Sequence, residues 1–472
     1  MPKLLRFLLV ILLLVSIFSR AERVQGSTVV IADTYEQSTR GTVDNFPFLL
    51  LRGDATQRGK AYGVLAAPEI ISSLSVMASY MSSQGLSWNT ALAAVTTYKY
   101  SSRYQTEMSA MLDGIIEALP PNGRIIPALG RAPTVNDLKV LETADVFAAM
   151  HCSQFSAWGS LTSDGEVIIG RNWDYPPIFL LSNSFILAVD PSEPDLQSTI
   201  DTLYFGLIGV GMVSINEQKV YISANSGGSA NGISPTLPYP VMLLARDVLE
   251  TAQPSTATNN FVETIKNKVA LRLIFHISFP ISLAGGNLPA VIEYAPTSST
   301  TYSLNVRSPV NPPNAIILTN HFLSVQGSGD SQTRYQSLLS DIQQYQNSGQ
   351  VIGFTQAKTM MSHVARSNTV YTGIIWPKER RIMVAISPQE GVPATSGTYI
   401  EVKWDDIFGI NPPVISGDAN GDGHVDVFDY NVWFNNYGTT ITSPPYYAKG
   451  DFNGNTYVDV LDYMVLLNNY GM

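Results

Sequence analysis

Apolar residues change their rhythm several times along the chain. Phe7 to Phe18 is a run of twelve residues with no charge, preceded by Lys3 and Arg6. The stretch FPFLLLRGDATQRGKAYGVLAAPEI reads as a strand, a Gly-rich bend and a helix. Tyr104, Met108, Met111, Leu112, Ile115, Ile116 and Leu119 then recur at helical spacing, and Pro120-Pro121 stop that helix. A shorter helix is predicted over Val135–Met150. These apolar faces predict a mostly helical layer that packs on something C-terminal to it. From Cys152 the period drops to two, and CSQFSAWGSLTSDGEVIIGRNWDY reads as strand, Asp-Gly turn, strand. Centred on Asp164-Gly165, that hairpin places Phe155 opposite Asp174 and Trp158 opposite Arg171. Three more strand pairs follow: Thr202–Ser214 with Lys219–Ala224, Ala290–Ala295 with Thr301–Asn305, and Gly373–Trp376 with Arg381–Ser387. Helices are predicted over Pro240–Thr251, Phe261–Val269, Ser331–Gln346 and Thr355–Arg366. The pattern predicts two antiparallel sheets between helical layers.

Composition narrows the chemistry. Charged residues are only 14% of 472, with Lys plus Arg 28 against Asp plus Glu 38. With no Lys/Arg block, this argues against nucleic-acid binding. The five His show no HExxH or paired Cys/His spacing, which argues against structural zinc. The basic start, the apolar run and the small residues Ser19 and Ala21 fit a secretory leader over 1–21. The run is short for a membrane span, an uncleaved anchor being the other reading, and no second run is long enough. The expectation is a secreted protein with no stable membrane span, free or held at the cell surface or in a larger complex.

The tail carries an internal repeat. After the linker-like 403–416, with Pro412-Pro413, GDANGDGHVDVFDYNVWFNNYG and GDFNGNTYVDVLDYMVLLNNYG share 14 of 22 positions at an offset of 33. The segment 417–472 holds seven Asp and one Lys. Each repeat opens with oxygen ligands at EF-hand spacing, which suits a hard cation. Asp418, Asn420, Asp422, the His424 carbonyl and Asp429 would serve the first site. Asp451, Asn453, Asn455, the Tyr457 carbonyl and Asp462 would serve the second. A helix is predicted after each loop, Val427 to Phe434 and Val460 to Leu467. The pair resembles a type I dockerin, which implies two Ca²⁺ sites, an all-α module and a cohesin-type partner. Thr456 stands where a Gly is expected at the sharp turn, and Asn455 where Asp is, so the second loop is expected to bind Ca²⁺ more weakly.

One cysteine excludes an intrachain disulfide and leaves a free thiol in a chain read as exported, which is unusual. Cys152 is either a small buried hydrophobe or a nucleophile. The hairpin brings Arg171 and Asp174 into its neighbourhood, and a guanidinium favours thiolate. No Cys–His pair with an orienting third group is evident, because adjacent His151 points to the other face of the strand. A cut between His151 and Cys152 would instead supply an α-amine, of pKa about 7.7–8.0, as the base.

The stretch CSQF…DGEVIIGRNWDY, with FLLLRGDATQRGKAYG before it, resembles the N-terminal-nucleophile (Ntn) hydrolases that cut linear amides. The nearest groups are the isopenicillin-N acyltransferases, acid ceramidases and choloylglycine hydrolases. The resemblance spans roughly 48–386. It implies an α+β fold, an αββα four-layer sandwich, and a proenzyme that cuts itself before the nucleophile. It also implies Cys152 as nucleophile, Arg171 beside the thiol, and Asp174 bonding the freed amine. Asn225 (VYISANSGG) would be an oxyanion donor, Asn320 (AIILTNHFLS) a second site Asn, and Arg334 (SGDSQTRYQSL) an ordering Arg. The organisation expected is a leader 1–21, a proregion 22–151, a catalytic core 152–402, a linker 403–416 and a dockerin 417–472. The function expected is a self-processing cysteine hydrolase or acyltransferase on a small-molecule amide, with no cofactor in the core. The rivals are an inactive scaffold displayed by the dockerin and a lipid amidase of the acid ceramidase sort.

Overall fold

A computed structural model describes residues 27–143, 151–175, 183–210, 213–227, 239–266, 268, 272–296, 301–307, 309–310, 313–323, 329–410, 416–419, 424–441 and 449–471. The expected leader, Met150 and two proposed Ca²⁺ ligands, Asn420 and Asp422, lie outside them. Among the described residues no single helix is long and apolar enough to cross a membrane.

The chain opens with β1 (Val29–Tyr35), β2 (Ser38–Val43) and β3 (Phe46–Gly53). Among the described residues five helices follow: α1 (Ala55–Leu65), α2 (Ala67–Ser83), α3 (Trp88–Val95), α4 (Ser102–Ala118) and α5 (Val135–Glu142). Asp54 starts α1 with a capping box closed by Gln57, satisfying two end N–H groups. Gly59 and Gly63 of α1 lie against the backbone of α4, where an added Cβ would come within 2.1 Å of the Glu107 and Met111 carbonyl oxygens. That contact requires glycine.

The rest of the fold runs β4 (His151–Gly159), β5 (Gly165–Asp174), β6 (Ser184–Pro191), β7 (Thr199–Tyr204), β8 (Ser214–Asn216) and β9 (Tyr221–Ser226). Next come α6 (Val241–Leu249), α7 (Ala257–Ile265), β10 (Leu273–Ser278), β11 (Ala290–Pro296), β12 (Tyr302–Arg307) and β13 (Ala315–Leu318). The series continues with α8 (Asp330–Ser348), α9 (Phe354–His363), β14 (Thr369–Trp376), β15 (Arg381–Ile386) and β16 (Ile400–Lys403). It ends with α10 (Trp404–Phe408), α11 (Val427–Asn436) and α12 (Val460–Asn469).

Two sheets result. One has ten strands in the order β1-β2-β3-β6-β7-β8-β9-β10-β11-β12, and the other six in the order β13-β4-β5-β14-β15-β16. All pairings are antiparallel except β3 with β6. Alternation decides what each face meets. Phe155, Ala157, Ile168 and Ile317 leave the six-stranded sheet outward and pack on Leu338 and Ile342 of α8 and Met360 and Met361 of α9. Ala224, Leu273, Phe275 and Ile277 leave the ten-stranded sheet outward and pack on Leu244 and Val248 of α6 and Phe261 of α7. The inward residues of the two sheets face each other, giving a helix–sheet–sheet–helix sandwich in a mixed α/β chain.

The segment before Cys152 is less helical than its pattern predicts, since it gives three strands to the larger sheet. It is also tied in by buried charge. Arg246 of α6 donates to Glu107 of α4 at 3.0 Å and to Glu250 at 2.7 Å, and Arg58 of α1 lies 3.7 Å from Glu107. The predicted strand Thr202–Ser214 is broken in the middle. β7 ends at Tyr204, and buried Asp201 within it accepts from the Val213 N–H (2.8 Å) and the Ser214 hydroxyl (2.7 Å). Residues 403–408 of the expected linker finish β16 and form α10, whose Trp404 and Ile407 are buried and whose end is held by Arg52 on the Phe408 and Ile410 carbonyls.

Candidate active site

Cys152 is the second residue of β4, fully buried, with its thiol between the sheets. The register differs from the one centred on Asp164-Gly165. His151 pairs with Asp174, Cys152 with Trp173 and Gln154 with Arg171. The hairpin loop is longer, running between Gly159 and Gly165, both at positive φ. Leu161 is buried within it and Thr162 Oγ1 donates to the Glu166 carbonyl at 2.9 Å, so the loop is packed in place. This shift brings Arg171 and Asp174 closer to the cysteine than the two-residue turn would.

Each atom of Cys152 has a partner. Its backbone N–H donates to Asn320 Oδ1 at 2.7 Å. Its carbonyl accepts from Arg334 Nη1 at 2.8 Å, and the same guanidinium donates to Ser153 Oγ and, at 3.0 Å, to Asn320 Oδ1. Arg334 is held in turn by Asp330, one helical turn away, at 2.9 Å. The thiol lies 3.8 Å from Arg171 Nη2, which also donates to the Ala224 carbonyl at 3.0 Å. Arg171 Nη1 donates to Asn225 Oδ1 at 3.3 Å, and Asn225 Nδ2 donates to the Thr319 carbonyl at 3.2 Å. Asn320 Nδ2 donates to the Ser226 carbonyl at 2.9 Å. The structure thus gathers Cys152, Arg171, Asn225, Asn320 and Arg334 into one hydrogen-bonded cluster.

Asp174 sits at its edge. Thr369 Oγ1 donates to Asp174 Oδ1 at 2.6 Å. Among the described residues Asp174 Oδ2 has no hydrogen-bond partner, and Arg334 Nη1 is 3.9 Å away. Burial pushes the Asp174 carboxyl up to about 6, against the lowering effect of the Thr369 bond and Arg334. Burial also pushes the Cys152 thiol up to about 11, although Arg171 pulls the other way. The thiol is therefore protonated at neutral pH, with an acceptor-rich carboxyl nearby. His151, half-buried, is lowered by burial and by Arg366 and Arg334, and does not bond the thiol.

Sequence reasoning missed Gln154, fully buried on the same face as Cys152, and His276, fully buried opposite it on β10. Only the period-two alternation, which puts Gln154 inward with Cys152, could have pointed to the first.

In the tail, Asp451 and Asp462 are buried beside the second loop. Asp451 accepts from the N–H groups of Gly454 (2.9 Å), Asn455 (3.1 Å) and Thr456 (2.8 Å). Asp462 accepts from Asn453 (3.0 Å) and Asp459 (2.8 Å). Two carboxylates therefore converge on one loop, each with lone pairs to spare, a donor set that fits Ca²⁺. Among the described residues no three His, Cys, Asp or Glu come together, so Asn453, Asn455 and the Tyr457 carbonyl would complete the set. In the first loop Asp429 takes the corresponding place, accepting from Ala419 (2.7 Å) and Asp426 (2.8 Å). Thr456 adopts φ 72°, the left-handed conformation that its missing Gly would take without strain.

No known family profile and no curated protein matches the sequence. Among solved structures, a mutant conjugated bile acid hydrolase from Clostridium perfringens is similar at 10% identity and TM-score 0.33, over 54% of this chain and 97% of that one. A second variant of that enzyme gives 11% identity and TM-score 0.34, over 55% and 99%. Penicillin V acylase from Agrobacterium tumefaciens gives 12% and 0.35, over 54% and 86%.

Proposed function

We propose that this chain is an exported, self-processing cysteine amidase or acyltransferase of the Ntn type, acting on a linear, non-peptide amide. The observation that carries the reading is the lone thiol at the head of β4. Its backbone N–H, carbonyl and sulfur are each held by a separate polar side chain, in a site with no Cys–His pair.

In the precursor, Cys152 Sγ adds to the His151 carbonyl carbon. The C–N bond breaks, and a thioester links the segment ending at His151 to the sulfur. Water then releases the His151 carboxylate and leaves Cys152 with a free α-amine. That amine can accept the thiol proton; Asn320 Oδ1 keeps the bond it already takes from the Cys152 nitrogen, and the unbonded Asp174 Oδ2 suits a new N–H donor. In turnover the thiol adds to the substrate carbonyl while its proton passes to the amine and then to the leaving nitrogen. The thioester on Cys152 is released to water or to an acceptor amine. Charge building on the carbonyl oxygen is met by the second Nδ2 proton of Asn225, the first being on Thr319.

The tail is proposed to bind Ca²⁺ through the loops described and to dock on a cohesin-type module. Equivalent positions of the two repeats leave apolar side chains exposed: Phe428 and Leu461, Phe434 and Leu467, Tyr437 and Tyr470. Such paired exposure fits a protein partner.

The test is mass spectrometry of the mature N-termini with a panel of N-acyl amines, penicillins and bile-salt conjugates. The expected result is a fragment beginning at Cys152, turnover of one amide class, and an intact, inactive Cys152→Ala chain. An uncut chain that still turns over amides would overturn the mechanism.

A further inference from the structure

Behind the cysteine, a row of polar side chains runs between the two sheets where apolar packing is the rule. Gln154, Ser156, Tyr221, Ser223, His276 and Ser278 are all fully buried. Their partners determine the direction of every hydrogen bond.

Gln154 Oε1 meets three donors: the Ser223 hydroxyl (2.7 Å), the Tyr221 hydroxyl (3.1 Å) and His276 Nδ1 (3.0 Å). An amide oxygen only accepts, so His276 carries its proton on Nδ1. Its Nε2 then accepts from the Ser156 hydroxyl at 2.8 Å, and Ser156 accepts from Ser278 at 3.1 Å. Burial, and Arg171 after it, lower the His276 pKa to about 3, so the ring stays neutral and this tautomer persists. With Oε1 so engaged, Gln154 must turn Nε2 toward Asn225, and it donates to Asn225 Oδ1. Arg171 Nη1 donates to the same oxygen. Two donors on Oδ1 leave Asn225 one orientation, in which Nδ2 alone faces Thr319 and the reaction space.

We propose that Gln154 is a positioning residue, oriented by neutral His276, that fixes the flip of the Asn225 amide so that an N–H rather than a C=O meets the developing oxyanion. The inference rests on the amidase reading of the site but goes beyond it. An inverted Asn225 would present an acceptor to negative charge and lose the stabilisation. The polarity of four buried side chains in line, Ser278, Ser156, His276 and Gln154, is thereby read out at one amide.

Two measurements on the full chain test this. In uncut Cys152→Ala protein, ¹⁵N-edited NMR of the His276 ring is expected to show a neutral Nδ1–H tautomer unchanged from pH 5 to 8. A proton on Nε2, or titration in that range, overturns the relay whether or not the protein is an amidase. In the cut enzyme, rates are taken per Cys152 thiol titrated, so that incomplete processing does not enter. Gln154→Met is expected to lower kcat by about 10–100-fold with KM within about threefold, a fraction of the roughly 10²–10³ of losing a donor outright. His276→Ala should fall similarly. His276→Asn, whose amide N–H can stand in for Nδ1–H, should recover to within about fivefold of wild type. Equal losses in His276→Ala and His276→Asn, or an unchanged kcat in Gln154→Met, overturn the proposal. A wild type that neither cuts itself nor turns over amides fails the amidase reading instead, and the NMR result then decides the relay alone.

Discussion

The buried carboxyl beside Cys152 and those of the tail are treated in opposite ways. In the tail, both oxygens of Asp451, Asp462 and, in the first repeat, Asp429 accept backbone N–H groups of their own loop. In the sandwich, Asp174 is left with one oxygen unbonded among the described residues and is pushed up to about 6. Glu142 is pushed up further, to about 8, by burial that its bonds from the Ile208 and Gly209 N–H groups only partly offset. A carboxyl whose two oxygens are both held by its own loop is set to face a cation. Asp174, short of a donor on one oxygen, suits a proton or an ammonium that arrives later, whereas Glu142 has both oxygens bonded and is raised by burial. On the function proposed above, the first arrangement serves cation binding and the second a site whose chemistry changes its own charges.

The comparison breaks most sharply at the cysteine. Cys152→Ala is expected to abolish both scission and turnover while leaving Ca²⁺ binding by the tail unchanged, as read by gel electrophoresis, amide assay and calorimetry. Asn225→Ala should cut kcat by about 10²–10³ with scission slowed as well, measured by single-turnover kinetics. Calcium removal should act on the other side only. With excess chelator the tail should lose helical signal and partner binding, while amide turnover stays within about twofold.

Rising pH tests the sandwich. The folded pKa of Glu142 lies above its ordinary value, so the folded state holds the proton more tightly than the unfolded one. Stability from neutral Glu142 is full below about 4.5 and is lost as pH rises through about 8. Urea unfolding of Cys152→Ala protein should show this fall, and Glu142→Gln should flatten it. The smallest effect is in the second loop. Thr456→Gly removes the strain of φ 72°, roughly 1 kcal/mol, and should tighten that Ca²⁺ site about fivefold, bringing the two sites closer in a titration.

What the sequence revealed followed from strong local signals. The tail repeats, the strands β11, β12, β14 and β15, and the helix ended by Pro120 lie where periodicity places them, within a few residues. The strands β1 and β2 escaped because STRGTV alternates weakly and owes its pairing to β3. The hairpin register was misread because Asp164-Gly165 looks like a two-residue turn. Asp164 instead bonds the Glu166 N–H at 3.1 Å at the end of a longer loop. Cys152, Arg171, Asn225, Asn320 and Arg334 were named from motifs, and the fold brings them together. Gln154 and His276 carry no motif. Their weight comes from facing each other across two sheets, which no local pattern encodes.

The parallel seam between β3 and β6 has a consequence for the protein's lifetime. It joins residues on opposite sides of the His151–Cys152 bond within one sheet. Before the cut, that seam forms within a single molecule. Afterwards the same seam would have to be rebuilt by two separate polypeptides meeting in dilute solution, with an order of reaction of two. The proposed scission would therefore turn a fold that one chain can reach alone into one assembled once, and the protein's endurance would then be set by how slowly it comes apart.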